Sequence, residues 1–127
     1  MLNFRKIEAY LAAAEAGKGI DLSAGELYEL AEAAWVAVRF EEIRARLHKL
    51  LTRLNTDSPR SRMVWQETDL QIHLYDCYQP WPHWNASIRD AWSGEAIRLQ
   101  PEDWIFEIEG ATKLAALQAL NEQLKKL

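Results

Sequence analysis

One cysteine, Cys77, stands in the 127 residues, so no disulfide can form within the chain. That excludes a secreted disulfide scaffold, and the fold must come from apolar burial, which at this length hides about two thirds of the extended surface. Apolar runs are short as well. The longest, AAWVAV at 33–38, is far below the ~20 residues of a membrane-spanning helix. The first residues, MLNFRKIEAYLAAAEAG, lack the apolar core and cleavage site of a signal peptide. The expectation is a cytoplasmic protein without membrane contact.

Glycine is scarce too, at five residues. AGKG at 16–19 lacks the spacing of a phosphate loop and follows a helical pattern where a strand is required. It reads as a helix end. Basic charge is not in excess: 15 Lys and Arg against 19 Asp and Glu give a net charge of −4, which argues against general nucleic-acid binding. The total conceals a pattern. Residues 1–38 carry 3 basic and 6 acidic side chains (−3), residues 39–62 carry 7 and 3 (+4), and residues 63–127 carry 5 and 10 (−5).

What is present is helical at first. Asn3 can cap a helix that carries Phe4, Ile7, Tyr10, Leu11 and Ala14 on one face until Gly17 and Gly19 stop it. Ser23 with Glu26 forms a capping box, and Leu22 with Leu27 a hydrophobic staple, so a second helix starts there. Nothing breaks it before about Asn55, some 48 Å away at the helical rise. Its apolar face changes sides: Leu27, Leu30, Ala31, Ala34 and Val38 gather opposite Val36, Phe40, Ile43, Leu47, Leu50, Leu51 and Leu54. A kink near Val36 would serve the same pattern, and a helix with two apolar faces can also complete its burial in a homodimer.

The segment NTDSPRSR at 55–62 is a polar connector, after which the period shortens to two. MVWQET and LQIHLYDCY read as a hairpin. In the second strand Ile72 and Leu74 share one face, and His73, Tyr75 and Cys77 the other. YQPWPHW is extended and proline-stiffened. Trp84, Ile88, Ala91 and Trp92 fit a short helix closed at Gly94. EAIRL and WIFEIE read as strands around a QPED turn. Thr112 can cap a last helix with Leu114, Leu117, Leu120, Leu124 and Leu127 in a stripe. The expected fold is α+β in the order ααββαββα, with a four-stranded, largely antiparallel sheet. It is expected as a single domain over 1–127, helical to residue 55 and α+β from residue 62.

No residue set meets the requirements of catalysis. Ser93 lacks the first glycine of a nucleophile elbow. His73, Asp76, Cys77 and His83 do not follow a zinc spacing, and on a strand Asp76 points away from His73 and Cys77. Arg44 and His48, one helical turn apart, suit ribonuclease chemistry best, with a separation shorter than that chemistry uses. We expect a non-enzymatic protein with no cofactor and no metal.

Two features suit binding. On the second helix Tyr28, Trp35, Arg39, Glu42, Arg46, Lys49 and Arg53 fall within about 80° of one another, where aromatics and cations can grip an acidic protein or stack on bases. In the loop, Tyr78, Trp81, His83 and Trp84 offer large contact area on a backbone that prolines have stiffened. Asp103, Glu107 and Glu109 form a weaker acidic row. The leading reading is a small acidic inhibitor or adaptor of a larger protein or protein–nucleic acid complex, with Tyr78, Trp81, His83 and Trp84 as anchors. Arg39, Arg46, Lys49 and Arg53 would steer the encounter. Anti-defence and immunity-type inhibitors have this size and charge, an analogy of class alone. The alternative is an RNA-associated protein or weak ribonuclease acting through the basic helix face.

Overall fold

A computed structural model describes residues 2–57, 64–99 and 104–127. The chain forms two compact units, Met1–Trp35 and Val36–Leu127.

The first unit is a pair of helical segments. Helix α1 spans Phe4–Glu15, and the Asn3 side chain accepts from Lys6 N–H at its start. Gly17, at φ 70°, follows its end, and the Lys18 N–H closes back on the Ala13 carbonyl at 2.9 Å, the left-handed stop that glycine permits. Helix α2 spans Ala24–Asp57 as one element. Ser23 Oγ accepts from Glu26 N–H at 3.1 Å, as the capping box predicts. Glu26 also accepts from the Tyr10 hydroxyl at 2.9 Å and sits 3.4 Å from Lys6 Nζ. The Tyr10 hydrogen bond holds the Glu26 carboxyl below its ordinary range and the phenol above its own. No residue of α1 is buried, and Phe4, Leu11 and Leu27 are all exposed.

In the second unit the remainder of α2 contributes Ile43, Leu47, Leu50 and Leu54 to the core. These are residues of the face expected to turn away from helix one, and their burial explains the change of side. The sheet has strand order β1-β2-β5, with β1 Leu70–Cys77, β2 His83–Asp90 and β5 Glu107–Gly110, all antiparallel. Strands β3 (Arg98–Leu99) and β4 (Trp104–Ile105) pair with each other. Phe106, fully buried, ties the two sheets: its N–H donates to Ile97 and its carbonyl accepts from Ile88. Helix α3, Lys113–Lys125, is capped by Thr112 and buries Ala116, Leu117, Leu120 and Leu124. A methyl group on Gly110 would lie 2.4 Å from the Ala116 amide nitrogen, so helix and strand approach at a glycine.

The α+β class stands, with two helices first, antiparallel strands next and a helix last. Two local assignments are corrected. The short helix expected over 84–92 is strand β2, because this segment lies between β1 and β5 and satisfies its backbone on both sides. The first expected strand, MVWQET, is an irregular stretch over Val64–Gln66 followed by a 3₁₀ turn at Glu67–Asp69. Its hydrogen bonds go to a side chain: Asn55 accepts from Trp65 N–H at 2.7 Å and donates to the Trp65 carbonyl at 3.0 Å. The connector beyond residue 57 and the QPED turn lie outside the described residues.

Candidate functional site

The loop between β1 and β2 carries its aromatic side chains outward at one end and inward at the other. Tyr78 is 71% exposed and Trp81 57%. His83 is buried, its Nδ1 lies 2.7 Å from the Trp81 carbonyl, and its Nε2 lies 3.7 Å from Glu109. It pins the loop and does not project from it. Trp84 is half-buried on β2, with the Lys113 ammonium 5.6 Å from its ring centroid, a cation–π contact. The Tyr78 hydroxyl donates to Asp76 at 3.0 Å, and that bond raises the phenol above its ordinary range. The exposed rings are therefore Tyr78 and Trp81.

The basic stripe is divided. Arg39 binds Glu42 at 2.7 Å. Arg46 Nε donates to Asn121 Oδ1 at 2.9 Å, and Asn121 Nδ2 donates in turn to Glu42 at 3.0 Å. Asn121 has no exposed surface, so this polar bridge between α2 and α3 is partly withdrawn from water. The Arg39 hydrogen bond lowers the Glu42 pKa, opposed by partial burial and helped by Asn121 and Arg46. Lys49 is exposed and Arg53 half-buried. Arg44 and His48 are both exposed.

The outer sheet face holds a second polar network, which the sequence reading missed. Arg89 on β2 donates to Glu107 on β5 at 2.6 Å, to the buried Ser87 at 3.0 Å and to the Gly94 carbonyl at 2.8 Å. Its guanidinium also lies 5.5 Å from the centroid of the Tyr75 ring on β1. His73 bonds the Tyr75 hydroxyl through Nδ1 and Gln71 through Nε2 at 3.0 Å. Every partner of Arg89 is thus supplied by its neighbours, and the cluster braces the face. Alternation of Trp84, Ala86 and Ile88 with Asn85, Ser87 and Arg89 was the available signal.

Trp92, expected on a short helix, stands instead in the turn that follows β2. Its ring is 79% exposed, yet its Nε1 donates to the buried Asp69 carboxylate at 2.8 Å. Among the described residues no group of three or more His, Cys, Asp or Glu side chains is placed to hold a metal ion. Likewise no helix among them is long and apolar enough to cross a membrane. No protein family, no curated protein and no solved structure matches the chain.

Proposed function

We propose that the protein is a non-enzymatic binding protein, an inhibitor or adaptor that occupies a surface of a larger protein. The observation that carries this reading is the pair Tyr78 and Trp81, exposed on a loop whose backbone is held. The Asp76 carboxylate holds the Tyr78 hydroxyl and the buried His83 holds the Trp81 carbonyl. Large rings that are presented to water and already ordered lose little entropy on docking, which is the chemistry of an interface anchor. Lys49, exposed on the same helix, serves as a steering charge, whereas Arg39 and Arg46 serve the bridge to α3. An RNA-binding role for the same stripe would have to draw Arg46 away from Asn121.

Affinity capture from the native host with the wild-type chain, Tyr78→Ala and Trp81→Ala tests the reading. The expected result is a protein enriched by the wild type and lost from both variants, with all three chains melting within about 2 °C of one another. Equal enrichment by all three, or a drop in stability without a change in capture, would make the rings structural and overturn the assignment.

A further inference from the structure

Strand β1, LQIHLYDC, lies at one edge of its sheet. It pairs with β2 over its whole length without a bulge, and among the described residues β2 is its only strand neighbour. It contains no lysine, arginine or proline, the residues that commonly guard such an edge.

The ladder decides which backbone groups face outward. Ala91 N–H donates to the Asp69 carbonyl, whereas Ile88 N–H turns to Phe106 on the other side of β2. Antiparallel alternation then bonds Gln71, His73, Tyr75 and Cys77 to β2 and turns the N–H and C=O groups of Ile72, Leu74 and Asp76 outward. Side chains alternate too. Ile72 and Leu74 stand opposite Ile88 and Ala86, which have no exposed surface, yet both are only half-buried. A groove of about 600 Å³ opens beside them, lined by Phe40 and Leu47 from α2 and by Leu70 and Ile72 from β1.

Edge and groove together define what fits. A row of outward N–H and C=O groups is satisfied by an extended backbone, since a helix has already spent its own groups on itself. A strand added there sends every second side chain over the groove, whose floor is apolar. Arg44 and Glu67, which also line it, are both exposed and opposite in sign, so their charges cancel and an uncharged segment matches them. A second copy of β1 fits less well. Its Asp76 shares the strand parity of Ile72 and Leu74 and would carry a carboxylate to the apolar side. At the far end of the edge the Asp76 carboxylate holds the hydroxyl of the exposed Tyr78 at 3.0 Å, so the edge runs on into the aromatic loop. We infer that the β1 edge and its groove bind an extended, uncharged segment of a partner protein, added to the sheet as a strand with apolar side chains at alternate positions. This deepens the reading of a binding protein and rests on it for the class of partner alone.

A synthetic probe tests the edge directly: a short, end-capped peptide with valine at alternate positions, threonine between them and a lysine at each end for solubility. A control peptide of the same composition has its valines grouped, so the alternation is lost. Amide hydrogen exchange followed by NMR is the readout. With the alternating peptide the Ile72 and Leu74 amides should exchange at least about tenfold more slowly, while His73, already bonded to β2, stays unchanged. The grouped peptide should bind at least about tenfold more weakly. Leu74→Pro removes an outward N–H and no bond to β2, and should abolish binding. If that variant fails to fold, Phe40→Gln decides, since it spoils the groove and leaves the edge, and should weaken binding about tenfold. Equal binding of the two peptides, or exchange at Ile72 and Leu74 that neither peptide slows, overturns the proposal. So does protection of these amides that grows with protein concentration alone, which would give the edge to a second copy. A silent edge beside capture that depends on Tyr78 and Trp81 overturns the strand site and leaves the loop reading standing. A responsive edge with capture indifferent to both rings supports the strand site and overturns the loop reading.

Discussion

Arg46 and Asn121, 75 residues apart in sequence, meet at 2.9 Å, with the arginine Nε donating to an amide that no water reaches. The same amide donates to Glu42, so one buried side chain satisfies a cation and a carboxylate of the facing helix at once. Asn121→Ala leaves both without it. The expected loss is about 2 kcal/mol of folding stability in urea denaturation, because the unmade bonds to charged groups cost more than their net worth when made. A loss below about 0.5 kcal/mol would place the amide among ordinary surface polar groups.

The same bridge sets an acid limit on stability. Glu42 has its pKa lowered by the hydrogen bond from Arg39, and by Asn121 and Arg46 beyond it. The folded chain then binds this proton more weakly than the unfolded chain does. The contribution is complete above the ordinary carboxylate range, and it is lost as pH falls through the lowered folded value. Glu26, lowered chiefly by its bond from Tyr10, and Glu122, lowered chiefly by its bond from Lys125, act in the same direction. Thermal melts from neutral pH down through the carboxylate range should show Glu42→Gln less stable than the wild type at neutral pH and converging with it in acid. Parallel curves across that range would refute the linkage.

The helix caps were legible because their signals are local: Asn3, Ser23 and Thr112 each accept from an N–H three residues on. Strand β2 was not, although Trp84, Ala86 and Ile88 alternate with Asn85, Ser87 and Arg89. Trp84, Ile88, Ala91 and Trp92 also fit a helical period, and a short segment cannot choose between periods without knowing its neighbours. Burial removed the remaining contrast, since Ala86, Ser87 and Ile88 are consecutive and all buried. The bridge that engages the stripe was hidden for a related reason. Its charges are visible in sequence, but the residue that engages Arg46 lies on α3. The stiffness of the loop that carries Tyr78 and Trp81 was legible, because prolines at 80 and 82 restrict it whatever surrounds it.

Gly110 is a point at which one added carbon should matter. Its hydrogen faces the first turn of α3, and a Cβ there would lie 2.4 Å from Ala116 N and 2.8 Å from Ala116 Cα, both backbone atoms that cannot swing aside. Gly110→Ala must push α3 off β5 or bend the end of the strand. We expect a loss of about 3 kcal/mol, read by urea denaturation, with Gly25→Ala as a control, since Gly25 has only Ser23 Oγ within reach at 4.0 Å. Equal effects at the two glycines would show that close helix–strand approach is not what Gly110 provides.

Trp92 and Asp69 supply the last test, because the ring and its N–H have opposite surroundings. The ring is 79% exposed, whereas the nitrogen donates to a carboxylate on a residue only 7% exposed. Asp69 also accepts from Gln66 N–H at 2.9 Å, and its carbonyl accepts from Ala91 N–H at 2.9 Å, so it ties the 3₁₀ turn to the end of β2. Trp92→Phe keeps an aromatic ring and removes the donor, and Trp92→Ala removes both. If the bond is what stabilises, the two variants should lose the same amount, about 1–2 kcal/mol, because little apolar area is withdrawn from water with the ring. Asp69→Ala should lose more than either, and in the double variant with Trp92→Phe the losses should fall short of additive by about 1 kcal/mol. A Trp92→Ala variant much less stable than Trp92→Phe would instead show that the exposed ring is packing against the fold.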